Sequence, residues 1–573
     1  MKMTGGEIVV RALEDEDIPF TFGIPGTHNI ELYDALASSQ KVKPILVTDE
    51  QSASFMADAV WRASGRLGCA AVVPGAGLTH AMSGIAEAFM DGVPMLVLGC
   101  GIRRDTGRAF QLHDVDQQAL AAPVTKGTFR PERGEEIYAT IRQACRLARQ
   151  GTPGPVFVEI PANLYLFRHP PAFEAFREEP LVPPAASAAE LDQAAALLAK
   201  AQRPLLYVGL GAAGAAADLV ALAEQLEAVV ASTFQGKGVF PEQHPLFLWP
   251  GFGEAAPAFV RKIVAECDLT LALGCRFGEV ATGSYGLTPP QPLLHVDIDR
   301  EVLGRNYPAA LGLAADAGSV VDGLLPRLVS RPPDQALRQR IREGHQAVWR
   351  EWEGDPSREG VTPACLLRSL QETFGGDALF TSDSGNGTFL AVECLRLNRP
   401  GRFLAPVDYS CMGYAVPAAL GAKLARPEAP VIALAGDGAF LMTGLELITA
   451  AAQGIAVAVF VLRDRELAQI AQFQAVALNR KACSELPDYD LEGLCRGVGV
   501  EHLRLGRDAE TSSVLERVQE ITKAGRPVLV EVAIDYSRKT YFTKGVVKTN
   551  LLRLPWPDRL RFLGRAVARK ILG

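Results

Sequence analysis

Short, mostly apolar runs of strand length, each followed by a helical stretch, recur along the whole sequence. They stand at Ala70–Val73, Met95–Leu98 and Val156–Ile160, then at Pro204–Val208, Leu269–Leu273 and Leu293–Val296. A third group lies at Leu379–Ser382, Val431–Ala435, Val457–Leu462 and Val528–Val532. Short buried strands alternating with helices specify parallel sheets, with ligand sites beyond the carboxyl ends of the strands. The expectation is an α/β protein of three doubly wound parallel-sheet domains, at 1–170, 186–330 and 360–536. A Pro- and Ala-rich linker, PPAFEAFREEPLVPPAASAAEL, separates the first two, and the polar helical stretch RPPDQALRQRIREGHQAVWREWEGDPS joins the second to the third. The length of 573 residues suits three or four domains.

Composition narrows the function classes. The formal charge of −7 argues against a general nucleic-acid binder. Residues 537–573 are the exception, with ten Lys/Arg against the single Asp558, a tail of +9 that leaves −16 on the rest. The ten cysteines include no C-x-x-C pair, which suits reduced thiols in a cytoplasmic protein. No signal peptide is legible before the charged start MKMTGGEIVVRALEDED, and no apolar run approaches the ~20 residues of a membrane span.

The strongest chemical signal lies in the third block. The strand at Val431–Ala435 ends in Gly436-Asp437-Gly438, a helix is expected at Leu445–Ala452, and the strand AVAVFVL ends in Arg463-Asp464. A right-handed crossover brings consecutive parallel strands close together, so the two aspartates can point oxygens at one hard cation. Mg2+ held by a few protein oxygens plus substrate phosphates is the expected coordination, the glycines letting backbone N–H groups approach a phosphate. The competing reading of GDG is an ordinary tight turn. The two-strand spacing favours the metal.

GDGAF with an acidic residue at this distance resembles the GDG…N motif of thiamine-diphosphate enzymes, in the acetolactate synthase, pyruvate oxidase and 2-oxo acid decarboxylase group. FGIPGTHNIELYDAL (22–36), TDEQSASFMADAVWRASG (48–65), GIAEAFMDGVPMLVL (84–98), GTPGPVFVEIPANL (151–164), LHVDID (294–299) and CMGYAVPAALGAKLARP (411–427) follow in the group's order. The resemblance implies a pyrimidine-binding, a central and a diphosphate-binding domain, with thiamine diphosphate and Mg2+ as cofactors. It also implies a homodimer or homotetramer with active sites between subunits. The implied reaction is decarboxylation of a 2-oxo acid and transfer of the acyl-anion equivalent to a second carbonyl compound. The alternative is a flavin-linked pyruvate oxidase or quinone oxidoreductase. A non-catalytic relative is disfavoured, because Glu50, Asp437 and Met412 are all retained.

The same resemblance assigns residues. Asp437, Asp464 and the backbone carbonyl of Glu466 would hold the metal; the group usually has Asn-Asn where Arg463-Asp464 stands, yet Asp still offers a hard oxygen. Gly385, Asn386, Gly436, Gly438 and Ala439 would contact the diphosphate. The backbone around Ser410 and Met412 would bond the pyrimidine, with the Met412 side chain wedged between the cofactor rings. Glu50 would exchange a proton with the pyrimidine N1′, a role needing a carboxyl in a largely apolar pocket; on its own it reads as a solvated carboxylate. Thr27, His28, His80, Phe110, Gln111, His113 and Lys126 map around the reaction centre. The FQ loop is longer by two than usual, which brings His113 in as a polar-loop histidine. Ile470 stands where the pyruvate decarboxylases place an acid, and no adjacent His-His pair exists, which disfavours simple aldehyde release. Phe473 replaces a tryptophan that restricts the second substrate.

Two further features are open. Gly209-x-Gly211-x-x-Gly214 follows a strand, but AVVAS ends without the acidic residue of an NAD site. FAD remains possible in the central domain, through GCRFGEVATG (274–283) and VDID (296–299). In the tail, Leu560, Leu563, Val567 and Ile571 share one side of an expected basic helix over 558–572. Docking on the protein's own acidic body is favoured over peripheral contact with an anionic membrane.

Overall fold

The computed structural model describes residues 2–353, 360–561 and 564–565. Three six-stranded sheets, all parallel, carry the chain. The first has strands β1 (Phe20–Gly23), β2 (Lys43–Leu46), β3 (Gly68–Val72), β4 (Met95–Gly101), β5 (Thr128–Phe129) and β6 (Pro155–Pro161), in spatial order 2-1-3-4-6-5. The central sheet has β7 (Pro204–Val208), β8 (Val229–Ser232), β9 (Phe247–Pro250), β10 (Leu269–Leu273), β11 (Leu293–Asp297) and β12 (Leu311–Ala314), in order 9-8-7-10-11-12. The third has β13 (Leu379–Ser382), β14 (Phe403–Leu404), β15 (Val431–Gly436), β16 (Ala458–Arg463), β17 (Glu501–Leu505) and β18 (Val528–Ala533), in order 14-13-15-16-18-17. The apolar runs read from the sequence are these strands, shifted by a residue or two at some ends. The first and third sheets thus share one strand order. Residues 3–4 pair antiparallel with 168–169 and tie the start of the first domain to its end.

That order sets where ligands go. In each of the two outer sheets the chain reverses direction between its first and third strands, which opens a crevice at their carboxyl ends. Thr27 and His28 follow β1, and Gly75 to His80 follow β3. In the third sheet, Gly385 and Asn386 follow β13, and Gly436 to Gly438 follow β15.

The helices that matter for the site are α1 (Glu50–Ser64), α2 (Ala76–Asp91), α3 (Ile137–Arg149), α4 (Gln335–Glu353), α5 (Pro363–Phe374), α6 (Asn386–Cys394), α7 (Ala415–Ala425), α8 (Asp437–Thr443), α9 (Ala468–Leu478) and α10 (Tyr541–Arg553). The helix expected at Leu445–Ala452 starts as a 3-10 turn over Gly444–Glu446 and continues as α-helix over Leu447–Gln453. None of the described helices is long and apolar enough to cross a membrane.

Helices α1 and α7 join the first domain to the third. Both are rich in Ala, Ser and Gly, and they approach to backbone contact: a Cβ on Gly421 would run into the main-chain oxygen of Met56. One hydrophobic cluster runs unbroken from Phe22 and Ile45 through Phe55 and Tyr414 to Ala433 and Val459. A buried charged knot locks the joint. Arg62 donates to Asp58 at 2.7 Å and to Asp91 at 2.8 Å, and its guanidinium lies over the Tyr414 ring at 5.9 Å. Tyr414 donates to Asp58 at 2.5 Å. Asp91 also accepts from Gln235 of the central domain at 2.6 Å and from the Asp408 backbone at 3.0 Å. All three domains meet there. A second cluster joins the central and third sheets through Leu337, Ile341, Val348 and Trp352 of α4.

The tail docks earlier than the sequence pattern suggested. The backbone N–H of Phe542, in the first turn of α10, bonds the buried Glu393 at 2.9 Å, Lys548 pairs with Glu254 at 2.7 Å, and Arg553 donates to Ser284 O at 2.7 Å. A Cβ on Gly545 would strike the backbone of Ala255. Residues 556–561 are helical. Leu563, Val567 and Ile571 of the tail stripe, and Arg569 and Lys570 beside it, lie outside the described residues.

Two glycines test this packing with opposite signs. Gly421→Val should lose roughly 1–3 kcal/mol or more by overpacking the α1–α7 joint. Gly497→Ala, in an exposed helix where a Cβ meets nothing within 4 Å, should gain up to ~1 kcal/mol. Denaturant midpoints check both; equal midpoints would refute the close-packed joint.

Candidate functional site

The third sheet builds one half of the site. Asp437 opens α8 directly after β15, and its carboxylate accepts from Gly438 N at 2.9 Å and from Arg465 N at 2.8 Å. The second bond reaches the loop after β16, so the two strand ends converge as the spacing predicted. Asp464 accepts from Glu466 N at 3.3 Å. Burial raises the Asp437 carboxyl, and burial together with the Asp437 charge pushes Asp464 up to about 7.

The nearby cations are engaged elsewhere. Arg463 pairs with Glu531 at 2.9 Å and Asp488 at 2.5 Å and lies over the Tyr489 ring. Arg465 pairs with Asp488, and Lys481 with Glu466. Buried Asp437 and half-buried Asp464, neither in a salt bridge among the described residues, are a donor set that fits a hard divalent ion. Beside them is room for a diphosphate: a Cβ on Gly436 meets nothing within 4 Å, and one on Gly385, at φ +129°, only Gln469 at 3.9 Å. Gly385 precedes the N-terminus of α6, where Asn386 and the following N–H groups suit an anion. Ala439 is buried one turn into α8.

Met412 is held over this turn. A Cβ on Gly438 would lie 2.5 Å from Leu467 and 3.7 Å from the Met412 methyl. Ser410, at φ +65°, shares a hydrogen bond with Ser384 at 2.7 Å. Two buried acids that sequence reasoning missed clamp the segment. Asp383 accepts from Tyr414 N at 2.7 Å and Ala415 N at 3.3 Å, and burial pushes its carboxyl up to about 7. Glu87 of α2 accepts from Cys411 N at 2.9 Å, and burial beside Asp91 pushes it up to about 8. A third, Glu446, takes the N–H and hydroxyl of Thr48, just before Glu50. Each contact spans at least thirty residues of sequence, beyond the reach of any local pattern.

The first sheet builds the other half. Glu50 is the first residue of α1, capped by Asp49, and is buried. One of its oxygens lies where Gly77 leaves space, since a Cβ there would stand 3.2 Å away. The other lies 3.3 Å from His80 Nδ1, and Asp49, Glu50 and His80 bring their polar atoms within 4.8 Å of one another. Gln51 reaches across the domain joint to Met412 O at 3.4 Å.

Two predicted histidines also meet. The rings of His28 and His113 stand edge to face at 5.5 Å, and Thr27 shares a hydrogen bond with His28 at 3.2 Å. Burial, then the His113 charge, lowers the His28 pKa. His113 packs against Gly75 at the start of α2, a short step from Gly77 and Glu50. Gln117, which the sequence did not single out, fixes this loop by bonding Gly75 N and Cys100 O.

Other residues mapped around the reaction centre make contacts of a different kind. Lys126 donates to the backbone oxygens of Leu147, at 2.6 Å, and Gln150. It caps the carboxyl end of α3, with its pKa lowered to about 8 by burial. Gln111 closes its own loop through Arg103 O and Arg108 O. Phe110, at φ +58°, is fully exposed, so within one chain it flanks nothing. The GxGxxG stretch has a packing reason: a Cβ on Gly209 would collide with Gly274 O, where the loops after β7 and β10 touch. Those loops line a cavity of about 960 Å3 with Asp297 and Arg276, at the carboxyl ends of the central strands.

Comparison with known proteins agrees with this geometry across all three sheets. Three family models match: the thiamine pyrophosphate enzyme N-terminal TPP binding domain at 3–120, the central domain at 191–324 and the C-terminal TPP binding domain at 383–532. The probable acetolactate synthase large subunit of Methanocaldococcus jannaschii is 30% identical over 93% of this chain and 92% of its own. The acetolactate synthase isozyme 1 large subunit of Escherichia coli is 29% identical over 94% and 95%. The isozyme 3 large subunit is 30% identical over 94% and 96%.

The paired aspartates make a pH prediction. A carboxyl raised in the folded state contributes stability below its unfolded pKa that is lost as pH rises through the folded value. Cation-free protein should therefore lose stability between about pH 4 and about pH 7, and Asp464→Asn should flatten that loss. Thermal melts across this range, with and without Mg2+, check it; a loss of equal size in the variant would show that the pair is not its source.

Proposed function

The chain belongs to the thiamine pyrophosphate-dependent enzyme superfamily, and on that footing we propose that it decarboxylates a 2-oxo acid and transfers the remaining acyl unit to a second carbonyl compound. The observation that carries the reading is the convergence of Asp437 and Asp464, neither in a salt bridge among the described residues, below Met412. Asp437, Asp464 and the Glu466 carbonyl would hold Mg2+. Gly385, Asn386, Gly436, Gly438 and Ala439 would cradle the diphosphate, and the backbone at Ser410 and Met412 the pyrimidine. When bound, thiamine diphosphate supplies an acidic thiazolium carbon and a sink for the electrons released with CO2.

The chain's own residues then orient and move protons. Glu50 holds the proton for pyrimidine N1′, and His80, 3.3 Å away and largely exposed, connects that carboxyl to solvent. The lowered pKa keeps His28 neutral near pH 7, so it can accept a proton or hydrogen bond beside His113 and Thr27. Position 470 holds Ile where an acid would protonate the decarboxylated unit, which favours transfer over release of an aldehyde. The relatives reported are all named as acetolactate synthases, which gives the flavin-linked alternative no support, and no step here uses FAD.

The active form is a homodimer or homotetramer. Leu441, Met442, Leu445 and Ile448, following the GDG turn, and Leu46 of the first domain are exposed apolar side chains that a second copy would cover. The docking of α10 favours a tail held on the protein over one lying on a membrane.

Single-turnover product analysis with a panel of 2-oxo acids, with and without aldehyde or keto acceptors, tests the reaction. CO2 release coupled to a longer carbon skeleton is expected; aldehyde as the sole product would refute carboligation. Glu50→Gln should retain the cofactor yet slow hydrogen–deuterium exchange at the thiazolium C2 by roughly 10²–10⁴-fold. Exchange at the parent rate would remove Glu50 from this role.

A further inference from the structure

The connector helix α4 has no part in the proposed chemistry, yet it forms one wall of a groove of about 960 Å3. Helix α5 and the segment after α6 form the others. Arg350, Arg368, Arg396 and Arg399 line it, with Trp349 and His345. Only two carboxylates, Glu372 and Asp377, stand among the lining side chains. Arg368 pairs with Glu372 and Glu353, and Arg399 with Asp377. Neither Arg350 nor Arg396 pairs with a carboxylate among the described residues. Arg396 instead lies over the Trp249 ring at 5.0 Å and donates to the backbone oxygens of Glu393 and Leu395. Four guanidinium groups against two carboxylates thus give this concavity a positive lining on a chain of net charge −7.

His345 supplies a second, independent observation. Its ring is packed between Phe247, Trp249 and Phe259, and Nε2 bonds Phe247 O at 3.0 Å. That bond makes Nε2 the donor and leaves Nδ1 an acceptor, and Nδ1 is buried without a partner. Burial and the Arg396 charge lower this histidine to about 4, so the ring stays neutral and Nδ1 keeps its lone pair.

Guanidinium forks suit phosphate oxygens, and the volume exceeds what an inorganic anion fills. Trp349 offers an indole beside the arginines, with Arg368 over it at 5.5 Å. We propose that this groove binds a nucleoside di- or triphosphate, its phosphates held by Arg350, Arg368 and Arg399 and its base beside Trp349.

Calorimetric titration of ADP and ATP into the full chain, saturated with thiamine diphosphate and Mg2+, tests the assignment with the diphosphate site already filled. One site per chain is expected, weakened at least tenfold by Arg350→Glu combined with Arg368→Glu. Neither residue lines the cavity on the central sheet, so undiminished binding in that variant would place the nucleotide elsewhere and overturn the proposal. So would the absence of binding at millimolar nucleotide. Inorganic pyrophosphate binding as tightly as ADP would overturn the nucleoside part. Arg350→Gln, at an exposed position, replaces the double variant should that not fold, with about a fivefold loss expected.

Discussion

The contact between α1 and α7 is the constraint on which the rest of the site depends. Glu50 opens α1 and Met412 lies just before α7, so the separation of these helices sets the separation of two domains' contributions. Backbone contact requires small residues, and Gly421 against Met56 is the position where nothing larger fits. Arg62, sandwiched between Asp58 and Asp91 under the Tyr414 ring, fixes the angle as well as the distance. Charges this deeply buried are expensive to leave unpaired, so each partner penalises any displacement of the others. Asp91 extends the penalty to the central domain through Gln235.

The shared strand order of the first and third sheets gives this joint its meaning. Each sheet has one crevice, between its first and third strands, and the helix pair fixes how the two crevices of one chain are set relative to each other. The polar residues are not scattered over the fold. They follow β1 and β3 on one side and β13, β15 and β16 on the other. A cofactor with a heterocycle at one end and a diphosphate at the other has its two ends suited by different sheets.

Much of this was legible because it is local. The strand runs announce themselves by length and apolarity, and Asp437 and Asp464 by their positions at the ends of consecutive strands. Glu50 was legible only by resemblance, since a lone glutamate at a helix start carries no signal. Asp383, Glu87 and Glu446 were illegible for a physical reason: each acts on backbone N–H groups or a hydroxyl that the fold delivers from far along the chain. His28 and His113 are likewise united only by the packing of two loops. The contacts of Lys126 and Gln111 were not legible, because position in a resembling motif does not fix where a long side chain goes. Unsatisfied carbonyls at the end of α3 and within the Gln111 loop claim their donors. In the tail, the stripe at 558–572 drew attention by its charge, and the docking seen among the described residues is made by the less patterned α10. There a helix N-terminus meets the buried Glu393, a pairing of partial and full charge that periodicity cannot reveal.

The choice of Asp at position 464 shows how such a site balances binding against stability. Asn would accept the same geometry without repelling Asp437, and Asp raises the energy of the cation-free fold. The neighbouring Arg463 and Arg465 offset it only in part, because Glu531 and Asp488 already hold them. Above about pH 7, where Asp464 gives up its proton, the proposed cation would relieve the repulsion, and that relief would appear as affinity. A ligand at a hundred times its dissociation constant stabilises the folded state by about 2.7 kcal/mol, which is comparable to the penalty of a buried, like-charged pair. The folded chain and the filled site then favour one another, so cofactor and fold are best regarded as one equilibrium.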